Sequence, residues 1–307
     1  MIKQLYGFVK KRKDLGKKGW SILFKVNKLF ANVLCPIKYY FEWEKGIEET
    51  HEIIVSLTTF QGRIRTVWIT IASMMRQTYK PKRIILWLAK EQFQNEDELP
   101  RNLKRLKKRG LEIAFCEDLK PHKKYYYTMK NYPEDYIVTV DDDVLYPENH
   151  LEQLWKTHLR YPDAICCQYA HKIEYDKNGK IAAYENWKSS KGEYEEPSHQ
   201  IMPVGCGGVL YPPHSLEDEI FNKEAIETLC PMMDDLWLKG MAVLKGTKAV
   251  LCGKGSLIYF DIIGTRKSGL QHVNAGERKN DVAIKAIVEA YPRIYEILYT
   301  DAMLRGE

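Results

Sequence analysis

The chain lacks the cysteine pattern of a cross-linked or zinc-bound protein. Its seven cysteines stand singly apart from Cys166-Cys167, and none belongs to a CxxC pair. An odd count without ligand spacing argues against a disulfide framework and a structural zinc, and points to reducing, cytoplasmic surroundings. No run approaches the ~20 uninterrupted apolar residues of a spanning helix. The first residues carry no apolar stretch followed by a small-residue cleavage site, so no signal peptide is expected. GxGxxG and Walker A sequences are both absent, which leaves a dinucleotide fold and a P-loop enzyme unsupported. There is no internal repeat or low-complexity tract.

What is present begins with enough apolar material, 45% of 307 residues, to build one large domain or two small ones. The 20 tyrosines suit sugar or membrane-interface contacts, although such residues serve equally in ordinary half-buried packing. The net charge of +6 is unevenly placed. Residues 1–45 hold eleven lysines and arginines against Asp14, Glu42 and Glu44, a balance of +8 that leaves −2 for the rest. Basic character is therefore confined to the N-terminus. No nucleic-acid partner is expected.

Within that basic segment, WSILFKVNKLFANVLCPIKYYF (20–41) places Leu23, Val26, Phe30, Val33 and Ile37 at three- and four-residue spacing, one face of a helix that Pro36 ends or kinks. A basic amphipathic helix can lie on an anionic membrane surface, here the inner face of the cell membrane, without spanning it. Alternatively the same face packs against the main domain.

From about residue 50 the pattern changes. Short apolar runs at 53–57, 84–88, 111–116 and 136–140 read as strands. Helical spacing marks 65–77, 99–109, 123–131 and 148–160 between and after them. Strands alternating with helices predict an α/β fold with a mainly parallel, doubly wound sheet, whose ligands bind at the carboxyl ends of the strands. The expected organisation is a basic segment 1–45, a catalytic domain 50–285 and a helical tail 286–307. Residues 171–200 are polar without a clear period, a flap or a hairpin.

Asp141-Asp142-Asp143 follows the strand YIVTV directly. Adjacent carboxylates raise one another's pKa, and a divalent cation, Mn²⁺ or Mg²⁺, removes that cost. The plainer reading is a solvated acidic turn. A second pair, Asp234-Asp235, opens the helix DLWLKGMAVLKG. It is either a helix cap or, for Asp235, the general base for an acceptor hydroxyl, with Asp234 holding the acceptor. Thr58, Thr59 and Arg63 lie in the first strand-to-helix loop, placed for a nucleotide. Lys123 and Lys124 can contact a diphosphate, and Asp118 can accept from a base edge. Gly207 and Gly208 in GCGG allow close approach to a ligand or a tight turn. His272 is a candidate to complete a metal site with the triplet, and Asn280 to cap a helix over 281–290.

These motifs together resemble bacterial GT-A-fold glycosyltransferases of the family 2 type found in capsule, exopolysaccharide and lipopolysaccharide biosynthesis. The resemblance is carried by IIVSLTTFQGRI (53–64), SMMRQTYKPKRIILWL (73–88), KKYYYTMKNYPEDYIVTVDDDVLYP (123–147), GCGGVLYPP (205–213) and MMDDLWLKG (232–240). It implies a Rossmann-like GT-A sheet flanked by helices. It also implies a nucleoside-diphosphate-sugar donor, commonly a UDP-sugar, a divalent metal, and a glycan or lipid-linked saccharide as acceptor. By the family pattern Asp143 is the metal ligand, Asp141 or Asp142 reaches the ribose, Asp235 activates the acceptor, and Thr58 and Asp118 contact the nucleotide. DD stands here where ED is usual, and 171–200 falls outside the pattern. A sugar nucleotidyltransferase would need a Gly-rich, Arg-containing loop after the first strand, for which TTFQGRIR is a poor substitute. A non-catalytic sugar-binding protein of the same fold is the remaining alternative.

Overall fold

The computed structural model describes residues 2–12, 16–189, 196–253, 259–265 and 279–305. Two helices come first, α1 (Ile2–Lys11) and α2 (Gly16–Tyr40). The alternating portion follows as β1 (Ile53–Thr58), α3 (Val67–Met74), β2 (Arg83–Ala89), α4 (Arg101–Lys107), β3 (Leu111–Cys116), α5 (Lys123–Asn131) and β4 (Tyr136–Thr139). Then come β5 (Val144–Leu145), α6 (His150–Arg160), β6 (Ile165–Cys167), β7 (Ala170–Lys172), β8 (Lys188–Ser189), β9 (Ile201–Pro203) and β10 (Val209–Tyr211). The last elements are α7 (Lys223–Leu229), α8 (Asp234–Lys245), β11 (Ala249–Leu251), β12 (Phe260–Asp261), α9 (Lys279–Ala290) and α10 (Pro292–Leu304).

Seven strands form the central sheet in the order β11-β6-β10-β4-β1-β2-β3. β1 pairs in parallel with β2 and β4, and β2 with β3. β10 runs antiparallel between β4 and β6. The near-continuous apolar runs of β1 and β2 are those of strands covered on both faces. Alternate residues serve alternate layers: Ile53, Val55 and Leu57 join the core that contains Ile71 and Met74 of α3. Ile54, Ile85 and Trp87 form a separate cluster against Tyr127 and Met129 of α5. This is the α/β, mainly parallel, Rossmann-like plan expected from the sequence.

Several boundaries differ from expectation. α2 continues through Pro36 to Tyr40. Pro36 lacks the N–H that would bond to the Asn32 carbonyl, yet Cys35 and Tyr39 on either side are buried against the domain and hold the last turn in place. α3 starts at Val67, because Thr66 and Val67 turn back onto the Arg63 carbonyl. Asn280 lies inside α9 rather than capping it. Residues 171–189 form a hairpin, with Tyr175 bridged to Ile181 across a turn at Asp176–Gly179, and β7 is flanked by β8 and β9. Among the described residues no helix is long and apolar enough to cross a membrane.

Candidate active site at the carboxyl end of β4

β1, β2, β3 and β4 run parallel, so their carboxyl ends open on one side of the sheet. The chain leaves β4 through Val140 into Asp141-Asp142-Asp143 and re-enters structure at β5. Backbone contacts from three other segments fix this turn. The Asp141 N–H donates to the Tyr146 hydroxyl (3.1 Å), and that hydroxyl donates to the Cys206 carbonyl (3.2 Å). The buried Thr70 hydroxyl of α3 lies 3.0 Å from the Asp142 carbonyl and 2.9 Å from that of Val144. The Ile262 N–H beside β12 donates to the Asp143 carbonyl (2.7 Å).

Each triplet carboxylate has different company. Asp142 is buried and receives the Thr59 hydroxyl (2.5 Å) and one arm of the Arg63 fork (2.5 Å). The other arm reaches Asp143 (3.0 Å) and the Thr265 carbonyl (3.2 Å). Asp143 keeps 19% of its side-chain surface exposed. Burial, then the charges of Asp141 and Asp142, push its carboxyl up to about 7 despite Arg63. Asp141 turns the opposite way, to Lys124 (3.0 Å).

Lys124 is the junction of the site. Its buried ammonium lies 3.0 Å from Asp141, 2.7 Å from Asp234 and 3.9 Å from Asp235. Burial alone would lower its pKa, but the three carboxylates hold it well above the usual lysine value. A residue of α5 thus ties the triplet to an acidic pair about ninety positions later in sequence.

Neither acidic residue at the start of α8 caps that helix. Met233 is the N-cap, and no side chain there bonds a backbone N–H of the first turn. One Asp235 oxygen accepts the Gly205 N–H instead (2.8 Å). Burial and the Asp234 charge push the Asp235 carboxyl above the usual range, while Lys124 pulls it back.

The other expected residues divide. The Thr58 hydroxyl donates to the Trp87 carbonyl of the neighbouring strand (2.8 Å). Asp118 lies past β3, receiving Lys123, Lys120 (2.9 Å) and the Gln92 amide (3.1 Å). Burial acts to raise its pKa, but the two lysines hold it well below the usual carboxylate range. Gly208 has φ +70°, and a Cβ there would meet His150 at 2.3 Å; one on Gly207 would meet Tyr169 at 2.5 Å. Both glycines are thus packed against the protein's own side chains. The glycine that touches the acidic groups is Gly205, where a Cβ would lie 2.7 Å from Asp235 and 2.8 Å from Lys124. His272 lies outside the described residues.

Sequence reasoning assigned no site role to Gly205, Tyr146, Thr70 or Gln92. Only the glycine carried a signal, as the first member of GCGG. Five carboxylates, Asp141 to Asp143 with Asp234 and Asp235, meet two cations, Arg63 and Lys124. Their hard oxygen donors and uncompensated negative charge fit a divalent ion. Among the described residues no group of three or more acidic, histidine or cysteine side chains is placed to hold a metal ion. An ion bound here would therefore draw on one or two carboxylates and on oxygens of a substrate.

Fold and site together define the GT-A class of α/β enzyme, with acidic groups gathered where a central parallel strand ends. Residues 55–211 match Glycosyl transferase family 2, and the chain belongs to that family: it is a glycosyltransferase. Among solved structures the chain is similar to a mannosyltransferase from Pyrobaculum calidifontis in complex with GDP-Man and Mn²⁺. The identity is 13% and the TM-score 0.47, over 91% of this chain and 80% of that one. That likeness is too distant to support residue correspondences. No curated protein matches the chain.

Proposed function

We propose that the protein transfers a sugar from a nucleoside-diphosphate-sugar, with UDP-sugars as first candidates, to a hydroxyl of a glycan or lipid-linked saccharide in bacterial surface polysaccharide synthesis. The observation that carries this reading is the Lys124 junction, which sets the triplet beside Asp234-Asp235. A donor-binding and an acceptor-activating group are thereby brought to one place.

In this reading the nucleoside lies along the carboxyl ends of β1 to β3, towards Thr58 and Asp118, with Thr59, Arg63, Asp141, Asp142, Lys123 and Lys124 on the ribose and diphosphate side. Asp143, joined by Asp141 once that carboxylate turns from Lys124, would hold a Mn²⁺ or Mg²⁺ ion, which when bound neutralises charge on the departing diphosphate. Asp235 has one oxygen fixed by the Gly205 N–H, which leaves the other for the acceptor hydroxyl. Asp235 takes that proton as the acceptor oxygen bonds to the anomeric carbon. The bond from that carbon to the diphosphate oxygen breaks, and the nucleoside diphosphate leaves with its electrons. A single displacement of this kind inverts the anomeric carbon. Asp234, neutralised by Lys124, orients the acceptor.

The test is a thermal-shift panel of UDP- and GDP-sugars, with and without Mn²⁺. A donor at a hundred times its Kd stabilises the native state by ~2.7 kcal/mol, about 5 °C here. A shift that needs both nucleotide sugar and metal is expected; no shift with any donor would overturn the reading.

Gly205→Ala is expected to lower turnover roughly 10²-fold, the scale of an ångström displacement at a reacting group. The new methyl meets the ends of two side chains, Asp235 and Lys124, rather than backbone. Steady-state kinetics alongside a melting curve checks this: turnover should fall far more than stability.

A further inference from the structure

α2 was expected to present one apolar face, to the domain or to a membrane. It has two faces with different occupants. Asn27, Ala31, Cys35 and Tyr39, at four-residue spacing, are buried against the domain. Ile22, Val26, Leu29, Phe30, Val33, Leu34 and Ile37 point the other way, from 43% exposed at Val26 to 64% at Ile22. Leu23, expected among them, is half-buried against the core. At about 100° per residue the exposed set covers an arc of roughly 140°. Exposed Lys18 and Lys25 border that arc on one side and Lys38 on the other. Tyr40 in the last turn and Trp43 beyond the helix end continue the apolar surface, with the Arg105 guanidinium 4.4 and 3.8 Å from their ring centres.

We propose that this outer face of α2 docks on an anionic lipid bilayer, its apolar arc among the acyl-chain ends and its lysine margins at the headgroups. An apolar arc edged by Lys18 and Lys25 on one side and Lys38 on the other is the profile of an interfacial helix, and the +8 balance of residues 1–45 complements anionic lipid. A second copy of the chain fits the same face less well, because its lysine margins would meet like charge.

The inner face makes the docked orientation specific. Lys28 pairs with Asp261 of β12 (2.6 Å). Asn32 donates to the Asp261 carbonyl (3.2 Å) and accepts the Ile263 N–H (2.8 Å). Phe260 and Asp261 pair with Leu145 and Val144 of β5, immediately after the triplet. The bilayer plane is thus set one strand away from Asp143. This step deepens the proposed function by selecting the lipid-linked acceptor and rests on that reading, whereas bilayer docking itself does not.

Flotation of the full chain with phosphatidylcholine vesicles, alone or mixed with phosphatidylglycerol, at low and high salt, tests the docking without any sugar. Binding is expected only with the anionic mixture, weakened by salt. Replacing Lys25 and Lys38 by Gln should lower it about fivefold for each lysine. Phe30→Asp with Val33→Asp should lower it more than about tenfold with an unchanged melting temperature. The proposal is overturned if the wild type fails to bind or the aspartate variant binds normally. It is equally overturned if that variant melts lower, which would place the face against protein, or if light scattering shows a wild-type dimer that the variant dissociates and vesicles do not bind. Donor binding measured separately by thermal shift keeps failure of the transferase reading distinct from failure of docking.

Discussion

Asp235→Asn lowers turnover by about 10²–10⁴-fold, the usual contribution of a positioned general base, and leaves donor affinity near wild type. The hydrogen bonds of Asp235 separate a base from a cap. A capping carboxylate would bond the first N–H groups of α8, and its loss would lower stability by about 0.5–2 kcal/mol with turnover intact. Asp235 instead accepts from Gly205, across the site, and stands 3.9 Å from the lysine that holds Asp141. Burial and Asp234 raise its pKa, so it ionises closer to neutrality than an ordinary carboxylate. Activity should rise with pH through that region at saturating donor, and the asparagine variant should lack this limb. Normal turnover with a lower melting temperature would return Asp235 to a structural role.

Asp143→Ala abolishes metal-dependent donor binding and leaves the fold intact. Arg63 retains Asp142 at 2.5 Å when Asp143 is removed, so no buried cation loses its only carboxylate. Calorimetric titration of donor with Mn²⁺ is the measurement, and unchanged affinity would remove Asp143 from the metal site. Stability gives a second reading in metal-free protein. A carboxyl raised in the folded state to about 7 favours the protonated fold. Its contribution is present at low pH and lost as pH rises from about 4 through about 7. Asp143→Asn cannot ionise, so the variant should lose that part of the decline and match or exceed the wild-type melting temperature above neutrality.

The parallel sheet was legible in the sequence because it is written in local periodicity. Runs such as IIVSL and YIVTV need no partner information to be read as strands covered on both faces, and β3 and α5 fall where their runs begin and end. Asp141-Asp143 could be placed at a strand end on the same ground, since adjacency to YIVTV is itself a sequence property. The sequence also determined that the apolar and basic residues of 20–41 share a helix.

What it could not assign was the company each charge keeps. Lys124 is adjacent to Lys123 in sequence, yet one pairs with Asp141 and Asp234 while the other turns to Asp118. Successive positions on a helix point about 100° apart, and which direction meets which acid depends on how α5 packs over β1, β2 and β4. Gly205 stood in a glycine run whose later members attracted the functional reading, because the carboxylate it must approach lies thirty residues on. In α2, hydrophobic spacing identified an apolar face but not its occupant. The line Asn27-Ala31-Cys35-Tyr39 fits closely against the domain and leaves Phe30 and most aliphatic side chains outside. Local pattern fixes an element and its faces; only the packed chain decides which face meets protein and which charges become neighbours, because both depend on contacts between residues far apart in sequence.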